Sequence, residues 1–284
     1  MKISLIVAVY KDYQALKLIL DQASKQTYSD FEVVIAEDAE NEAIPKLITK
    51  YPRINIVHCH QEDAGVRKMR SINNAIRASS GEYLIFIDGD CLPAPNFFEC
   101  HAKMAKEGRI LSGRRTNLGP KYSQRIRDGK LDTTDLANNY LRHYLNVALD
   151  GKEGHAETGL YFDPNGWFFK TFFDKSKRST SILGCHFSCF RKDIYYINGF
   201  DESYGQTALG DDTDIEWRFR VAGFELKSVK HATTVFHLYH EKRDRFIPEE
   251  ASLYKTMLER KENKEYKAKL GLLQQPISNV ERVS

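Results

Sequence analysis

The first ninety residues alternate between short apolar runs and amphipathic stretches. Residues 3–10 are apolar, rich in β-branched side chains and few in number, which predicts a buried strand. Asp12 precedes a stretch with apolar side chains at helical spacing, so we expect it to cap a helix over residues 13–25. The alternation continues with strands expected at 31–36, 54–58 and 83–87, and helices at 41–50 and 66–79. This order predicts an α/β fold with a mostly parallel central sheet flanked by helices.

The pattern becomes less regular after residue 112. It predicts a helix over 134–149, an aromatic-rich segment from 161 to 173, a strand over 181–190, a helix over 211–222 and a strand or strand pair over 225–237. The segment after residue 240 is charged and favours a helix. We therefore expect three parts: residues 1–112, residues 113–240 with an inserted helical and aromatic segment, and a helical tail over 241–284.

Composition narrows the class of protein. The 284 residues are 42% hydrophobic with a net charge of +3, which is typical of an ordinary globular chain and argues against nucleic acid as a partner. Five cysteines, an odd number in a chain of this length, favour a reducing compartment. The apolar run at the N-terminus is too short for a signal peptide, and no run of about 20 apolar residues follows. We expect a cytoplasmic protein and leave open a peripheral contact with the inner face of the cell membrane.

Asp88-Gly89-Asp90 follows the strand expected at 83–87. Side chains two positions apart in an extended segment point the same way, so both carboxylates can meet one cation. Carboxylates suit Mg²⁺ and Mn²⁺, which commonly bridge to substrate phosphates. Because Asp-Gly is also a favoured turn pair, a simple polar turn remains an alternative at this point.

Asp211, Asp212 and Asp214 cluster where the helix over 211–222 should begin. Acidic residues favour the positive end of a helix dipole, and we interpret Asp214 in that way. Three acids within four positions exceed what capping needs. One of the others is a candidate general base that deprotonates an attacking hydroxyl.

His237 and His240 end the last apolar strand, and either imidazole is a candidate metal ligand. A competing interpretation groups them with Cys185 and Cys189 in a structural zinc site. The cysteine spacing does not favour this alternative, because both cysteines lie within one expected strand.

In combination these stretches resemble a known family. SLIVAVYKDY, VVIAEDA, DAGVRKMRSINNAI and YLIFIDGDCLP, in that order, are similar to the nucleotide-binding half of family-two glycosyltransferases with the GT-A fold. The later run from GCHFSCF to GDDTDIEWRFRVAGF, with VFHLYH, resembles the galactosyltransferase-type acceptor region of bacterial chondroitin-type polymerases and β-1,4-galactosyltransferases. Matching stretches cover most of residues 1–112 and 181–240.

The resemblance implies an inverting glycosyltransferase that depends on Mn²⁺ or Mg²⁺. It would move a hexose or N-acetylhexosamine from a UDP-sugar to a hydroxyl of a glycan or lipid-linked glycan, in the synthesis of bacterial surface polysaccharide or lipopolysaccharide. Residues 1–112 would then bind the nucleotide sugar and residues 113–240 the acceptor.

The resemblance also implies roles for individual residues. The donor would be bound by Val9, Tyr10, Asp38, Arg67, Asp88 and Asp90. Asp90 and His240 would ligate the metal, with His237 as the alternate histidine. Asp212 would be the base and Asp211 an acceptor ligand. Thr207-Ala208-Leu209-Gly210 replaces the family's Gly-Trp-Gly before these acids, and Asp211 replaces its usual glutamate.

Two other functions remain open from the sequence. A sugar nucleotidyltransferase would carry a glycine-rich phosphate loop after the first strand, whereas residues 10–13 read Tyr-Lys-Asp-Tyr. A non-catalytic glycan-binding or scaffold subunit could keep the same fold without turnover. The joint presence of Asp90, Asp212 and His240 argues against that reading.

Overall fold

The computed structural model describes residues 1–174, 180–241, 247–274 and 280–283. Within them the strands are β1 Ile3–Val9, β2 Phe31–Glu37, β3 Asn55–His60, β4 Tyr83–Asp88, β5 Cys91–Pro93, β6 Arg109–Ser112, β7 Arg115–Asn117, β8 His186–Phe190, β9 Glu225–Ser228, β10 Val235–His237 and β11 Val280–Val283. The α-helices are α1 Tyr13–Ala23, α2 Ala43–Ile48, α3 Lys68–Ala78, α4 Phe97–Met104, α5 Pro120–Arg127, α6 Thr133–Asn138, α7 Tyr140–Asp150, α8 Trp167–Phe172, α9 Arg191–Tyr196, α10 Asp212–Val221 and α11 Glu250–Glu262.

The larger sheet has eight strands in the order β11-β3-β2-β1-β4-β8-β6-β9. Strands β3, β2, β1 and β4 run parallel, β8 is antiparallel to both of its neighbours, and β6 and β9 are parallel to each other. The expected α/β fold with a mostly parallel sheet is confirmed. Strands from the range 113–240 extend the sheet that the first range begins, and the division into three parts stays a prediction.

Side chains on the two faces of this sheet pack into separate cores. On β1, Leu5 and Val7 pack with the apolar stripe of α1, whereas Ile6 packs with the apolar face of α3. This alternation follows from the two-residue period of a strand. Because helices cover both faces, the central strands are apolar almost throughout, as parallel sheets require. The polar side chains that follow these strands are left at one edge of the sheet.

A second, three-stranded sheet lies beside that edge, in the order β5-β10-β7. Strand β10 is antiparallel to β5, with His237 opposite Cys91, and parallel to β7, with His237 opposite Asn117. The register places the end of β10 next to the turn that follows β4. Residues far apart in sequence therefore meet where the two sheets adjoin.

Three expected elements differ in extent. The helix expected over 134–149 is two helices, α6 and α7, because Asn139 leaves the helical conformation and its amide side chain donates to Asp135. The strand expected over 181–190 begins only at His186. The stretch 225–237 forms two strands in different sheets. Among the helices described here, none combines the length and apolar character needed to cross a membrane.

Candidate functional site

The carboxyl ends of β1, β2 and β4 open into a cavity of about 620 Å³, here called the larger cavity. Its volume lies within the range typical of small-molecule sites, and in parallel sheets such sites lie at this edge. Six of the residues named from the sequence line it: Val9, Tyr10, Asp38, Asp88, Asp90 and His240. The remaining wall is formed by Ala8, Asp12, Ala36, Val66, Lys68, Ser71, Gly89, Ala208, Ile247 and Glu250.

Asp38 is fixed at the end of β2 by neighbouring groups. Its amide donates to the carbonyl of Val9 at 3.0 Å. Gln61 Nε2 donates to Asp38 Oδ1 and the backbone amide of Arg67 donates to Asp38 Oδ2, each at 2.6 Å. Burial raises the pKa of Asp38, and these two donors oppose that shift. The side chain is therefore a polar group whose position in the cavity wall is fixed by hydrogen bonds.

Asp90, His237 and His240 form a cluster at the boundary between the two sheets. Asp90 Oδ2 lies 3.5 Å from His237 Nε2 and 3.3 Å from His240 Nε2. Each residue offers a ligand atom, and these atoms lie within 4.8 Å of one another. Two imidazoles and a carboxylate are suitable ligands for Mn²⁺, and the carboxylate also suits Mg²⁺. The donor set and its spacing fit the divalent ion expected from the sequence.

The local backbone explains this cluster. The amide of Leu238 donates to the carbonyl of Asp90 at 3.0 Å, which continues the pairing of β10 with β5 past His237. A Cβ on Gly89 would lie 2.8 Å from the carbonyl oxygen of Ala8, so the turn before Asp90 can approach β1 only because residue 89 is glycine.

Charges reinforce one another within the cluster. Burial alone would raise the pKa of Asp90, but hydrogen bonds from His237 and His240 outweigh burial and hold that pKa well below its usual range. The hydrogen bond to Asp90 raises the pKa of His240 to about 9. His240 is half-exposed and His237 is buried. Asp90 is therefore ionised and can bind a cation.

Lys68 joins two carboxylates at the far wall of the larger cavity. Its Nζ lies 2.7 Å from Asp88 Oδ1 and 2.5 Å from Asp211 Oδ2. Burial would lower the pKa of Lys68, but attraction to Asp211 and Asp88 raises it well above the usual value. Burial raises the pKa of Asp211, against the effect of Lys68. The ammonium lets two carboxylates from distant parts of the chain share one site.

A smaller cavity of about 500 Å³ lies beyond Asp88. Asp211 and Asp212 line it, and Asp88 belongs to both cavities. Asp211 Oδ1 is buried and has no hydrogen-bond partner among the described groups. A Cβ at position 184 would lie 2.1 Å from that atom, so Gly184 leaves the space that Asp211 occupies. The rest of the wall consists of Arg114, Arg115, Asn117, Glu153, His155, Thr158, Ser181, Leu183 and Cys185.

The sequence assigned a donor-binding role to Arg67 and gave none to Lys68, whereas the structure places Lys68 in the cavity wall. The guanidinium of Arg67 donates to the carbonyl of Glu62, and its contact with Asp38 is made by the backbone. Lys68, the next residue, enters the cavity wall instead. Sequence reasoning missed Lys68 because the two cations are adjacent and carry the same signal.

Asp214 and the two cysteines of the alternative zinc site lie outside the metal cluster. Asp214 is buried and accepts hydrogen bonds from Tyr204 Oη, Trp217 Nε1 and Arg218 Nε, so it stabilises α10 from within the core. Over the described residues, the three-ligand cluster contains neither Cys185 nor Cys189, both of which are buried thiols. The geometry therefore gives no support to the alternative zinc site.

Comparison with protein families agrees with this arrangement. The profile described as Glycosyl transferase family 2 matches residues 4–196, more than half of the chain. The chain belongs to this family. A second profile, described as the N-terminal domain of galactosyltransferase, matches residues 169–241. The expectation of a family-two glycosyltransferase with a galactosyltransferase-type second region is confirmed at this level.

Curated relatives share only part of their length with this family 2 chain. The Bacillus subtilis glycosyltransferase EpsH is 29% identical over 168 residues, covering 56% of this chain and 46% of EpsH. Streptococcus pneumoniae glycosyltransferase GlyA is 32% identical over 91 residues, covering 31% of this chain and 13% of GlyA. The chain thus spans less than half the length of either relative.

Solved structures share the fold. Staphylococcus aureus TarS aligns with a TM-score of 0.62 at 15% identity, covering 96% of this chain and 41% of TarS. GalNAc-T7, solved with UDP, GalNAc and Mn²⁺, aligns with a TM-score of 0.62 at 14% identity, covering 91% of this chain and 48% of that protein. These neighbours are GT-A glycosyltransferases, which confirms the expected GT-A fold.

Proposed function

We propose that this chain is an inverting glycosyltransferase that moves a hexose or N-acetylhexosamine from a UDP-sugar to a hydroxyl of a bacterial surface glycan, free or lipid-linked. The observation that carries the proposal is the junction of two cavities. One is bordered by a carboxylate–histidine cluster, the other by paired acids, and Asp88 lines both. A donor and an acceptor bound in adjoining cavities would meet at Asp88.

The larger cavity suits the nucleotide sugar. Val9 and Tyr10 would form the wall beside the nucleoside, and Asp38, held by Gln61 and the amide of Arg67, would accept a hydrogen bond from the base. Asp88 would face the ribose or another part of the nucleotide. TarS has also been solved with UDP-GlcNAc, and a Pyrobaculum calidifontis mannosyltransferase with GDP-Man and Mn²⁺. Both complexes support a nucleotide-sugar donor, and the first favours uridine.

Asp90, His237 and His240 would hold Mn²⁺ or Mg²⁺ beside the diphosphate. When bound, the ion offsets the negative charge that develops on the leaving nucleoside diphosphate. Asp90 contributes a carboxylate that stays ionised, since its histidine neighbours lower its pKa.

The smaller cavity suits the acceptor. Within the described part of the chain Asp211 Oδ1 has no hydrogen-bond partner, and it would accept a hydrogen bond from an acceptor hydroxyl, while Lys68 Nζ donates to Asp211 Oδ2. Asp212, in the first turn of α10, would take the proton of the attacking hydroxyl. The hydroxyl oxygen forms a bond to the anomeric carbon, the bond from that carbon to the phosphate oxygen breaks, and its electron pair leaves with UDP.

The test is release of the nucleoside diphosphate from a panel of UDP-, GDP- and dTDP-sugars, with and without Mn²⁺ and with candidate glycan acceptors. We expect Mn²⁺-dependent release from a UDP-sugar by the wild-type chain and loss of that release in Asp90→Ala. A chain that binds glycan without releasing a nucleotide from any sugar would favour the non-catalytic scaffold. Formation of a nucleotide sugar from a nucleoside triphosphate would instead favour the nucleotidyltransferase.

A further inference from the structure

Helix α7 presents an apolar stripe to solvent. Leu141, Leu145 and Leu149 are 79%, 70% and 85% exposed, whereas Tyr140 and Val147 of the same helix are buried. The helical period of 3.6 residues puts the three leucines within about 80° of arc, opposite Val147. An ordered row of three exposed leucines is unlike the scattered apolar residues of a normal surface.

Cations without an acidic partner among the described residues lie along one flank of this stripe, and one of them, Arg125, lies over the ring of Tyr122. His143 Nδ1 lies 3.1 Å from Tyr122 Oη of α5, which marks the side of α7 that faces α5. The helical period places Arg142 between the leucine stripe and that side. Helix α5 adds the exposed Lys121 and Arg125 on that side. Within the described part of the chain, no acidic side chain lies within ion-pair distance of any of these three cations, although other basic residues nearby are paired.

The acidic groups near this surface are engaged elsewhere. Asp150 Oδ2 accepts the backbone amide of Tyr122 at 2.9 Å, and Asp135 Oδ1 accepts from Asn139 at 2.8 Å. Leucines beside cations that have no acidic partner among the described residues are the combination that an amphipathic helix uses at an anionic lipid surface. We propose that α7 and the adjoining end of α5 form a docking surface for an anionic membrane.

A second copy of the chain is a poorer occupant. The stripe from Leu141 to Leu149 is about 12 Å long and one helix wide. That surface is too small by itself to bury the roughly 1,200 Å² in total that a stable protein interface needs. Two copies meeting along the stripe would also bring like charges together. Lipid headgroups of negative charge remove both difficulties, because each cation gains a partner and each leucine enters the acyl boundary.

The surface is continuous with the smaller cavity. Helix α7 ends at Asp150, and Glu153 and His155, a few residues later, line that cavity. Lys152 Nζ lies 3.2 Å from Tyr239 Oη, next to His240 of the metal cluster. A chain docked through α7 would hold the mouth of the smaller cavity close to the bilayer, where the sugar of a lipid-linked acceptor lies. This last step rests on the proposed function, whereas membrane docking does not.

The test is co-sedimentation of the full chain with vesicles of phosphatidylcholine alone, and of phosphatidylcholine and phosphatidylglycerol in roughly 2:1 ratio. We expect binding to the anionic vesicles only. The triple variant Leu141→Ser, Leu145→Ser, Leu149→Ser should bind them about 100-fold more weakly, because partial burial of three leucines is lost. The triple variant Lys121→Gln, Arg125→Gln, Arg142→Gln should lose about as much and become insensitive to phosphatidylglycerol.

Matched controls come from outside this surface. Leu258→Ser with Leu273→Ser removes two exposed leucines elsewhere, and Lys50→Gln with Lys255→Gln removes two exposed cations. These variants should bind vesicles as the wild type does. Absence of wild-type binding, or equal binding by the leucine variant, would overturn the proposal. A dimer in solution that the leucine variant abolishes would assign the stripe to a second copy instead.

Measuring UDP release in the presence of a water-soluble acceptor separates this inference from the proposed function. The leucine variant should keep wild-type release, and should lose rate only when the acceptor is embedded in anionic vesicles. Failure of the proposed function would remove release from the wild type in both settings, with vesicle binding unchanged.

Discussion

Lys68 and Asp211 are 143 positions apart in the chain, and Lys68 Nζ lies 2.5 Å from Asp211 Oδ2. The same ammonium lies 2.7 Å from Asp88 Oδ1, at the point where the two cavities adjoin. Three charged groups from α3, β4 and the start of α10 thus form one unit. This unit links the cavity that we assign to the donor with the cavity that we assign to the acceptor.

Lys68→Met tests this link. Removing the ammonium leaves Asp88 and Asp211 without a countercharge, so we expect sugar transfer from the UDP-sugar to fall about 100-fold or more and the free energy of unfolding to fall by roughly 1–3 kcal/mol, the sites being partly exposed. Steady-state kinetics and urea unfolding measure both. Lys103→Met removes an exposed partner of Glu99 and should change neither. Wild-type transfer by Lys68→Met would show that the link has no part in the reaction.

Asp90→Asn and His240→Gln test the metal cluster independently of turnover. Each replaces one of the three ligands with a neutral amide, which is a weaker metal ligand, so we expect Mn²⁺ to bind at least tenfold more weakly in each variant, roughly the lower bound for disturbing a metal site. The signal of free Mn²⁺ in electron paramagnetic resonance measures the affinity. His143→Gln, which alters a histidine bonded to Tyr122, is the matched control. Unchanged Mn²⁺ affinity in both ligand variants would place the metal elsewhere.

Gly184→Ala tests the placement of Asp211. The new methyl group would lie 2.1 Å from Asp211 Oδ1, so the carboxylate must move away from its position in the smaller cavity. We expect transfer to the glycan acceptor to fall about tenfold or more, since small displacements of a positioning group are costly. Affinity for the UDP-sugar, measured by calorimetry, should stay the same. A weaker donor affinity with normal acceptor KM would contradict the assignment of the two cavities.

A buried histidine pair makes stability depend on pH. His101 Nε2 and His186 Nε2 lie 3.0 Å apart, and His186 Nδ1 donates to the carbonyl of Arg114. Burial lowers the pKa of His186 to about 4 and that of His101 well below its usual value. At pH values between about 4, the pKa of His186, and about 6.5, the usual pKa of histidine, the unfolded chain binds more protons than the folded chain. Acidification through this interval therefore destabilises the fold.

The expected loss is up to about 1.4 kcal/mol per pH unit for each histidine as the pH falls below about 6.5. Urea unfolding at a series of pH values between neutrality and mild acid measures this slope. His186→Gln removes one titrating group and should reduce the slope over that range, even where the variant is less stable at neutral pH. An unchanged slope would show that the pair is not the source of acid sensitivity.

The residues at the functional edge of the sheet could be predicted from the sequence, because the apolar runs of the early strands fix where each strand ends. Apolar runs with polar residues at their carboxyl ends fix where Asp38, Asp88 and Asp90 emerge, and parallel strands bring these ends together. The helix after β3 shows the limit. The sequence predicts a start at residue 66, whereas the helix begins at Lys68 and Arg67 lies outside it as the N-cap. The pattern does not fix where the helix begins, and therefore does not fix which of the two cations faces the cavity.

The two histidines show a second limit. Sequence alone left His237 and His240 as alternative ligands, since nothing in the spacing fixes the path of the chain after a strand. The structure brings both to Asp90, because β10 pairs with β5 as far as His237 and the next residues stay beside the turn at Asp90. The break at Asn139 between α6 and α7 is a third case, in which a single residue with polar side-chain bonds overrides a continuous helical pattern.

The central claim is that Asp212 acts as the base for an acceptor in the smaller cavity while the donor occupies the larger one. The most direct test measures UDP-sugar affinity and sugar transfer together in Asp212→Asn, a substitution that keeps size and removes basicity. We predict an unchanged donor affinity and a fall in transfer between about 100-fold and 10,000-fold, the usual contribution of a general base. Transfer at the wild-type rate by this variant would contradict the account.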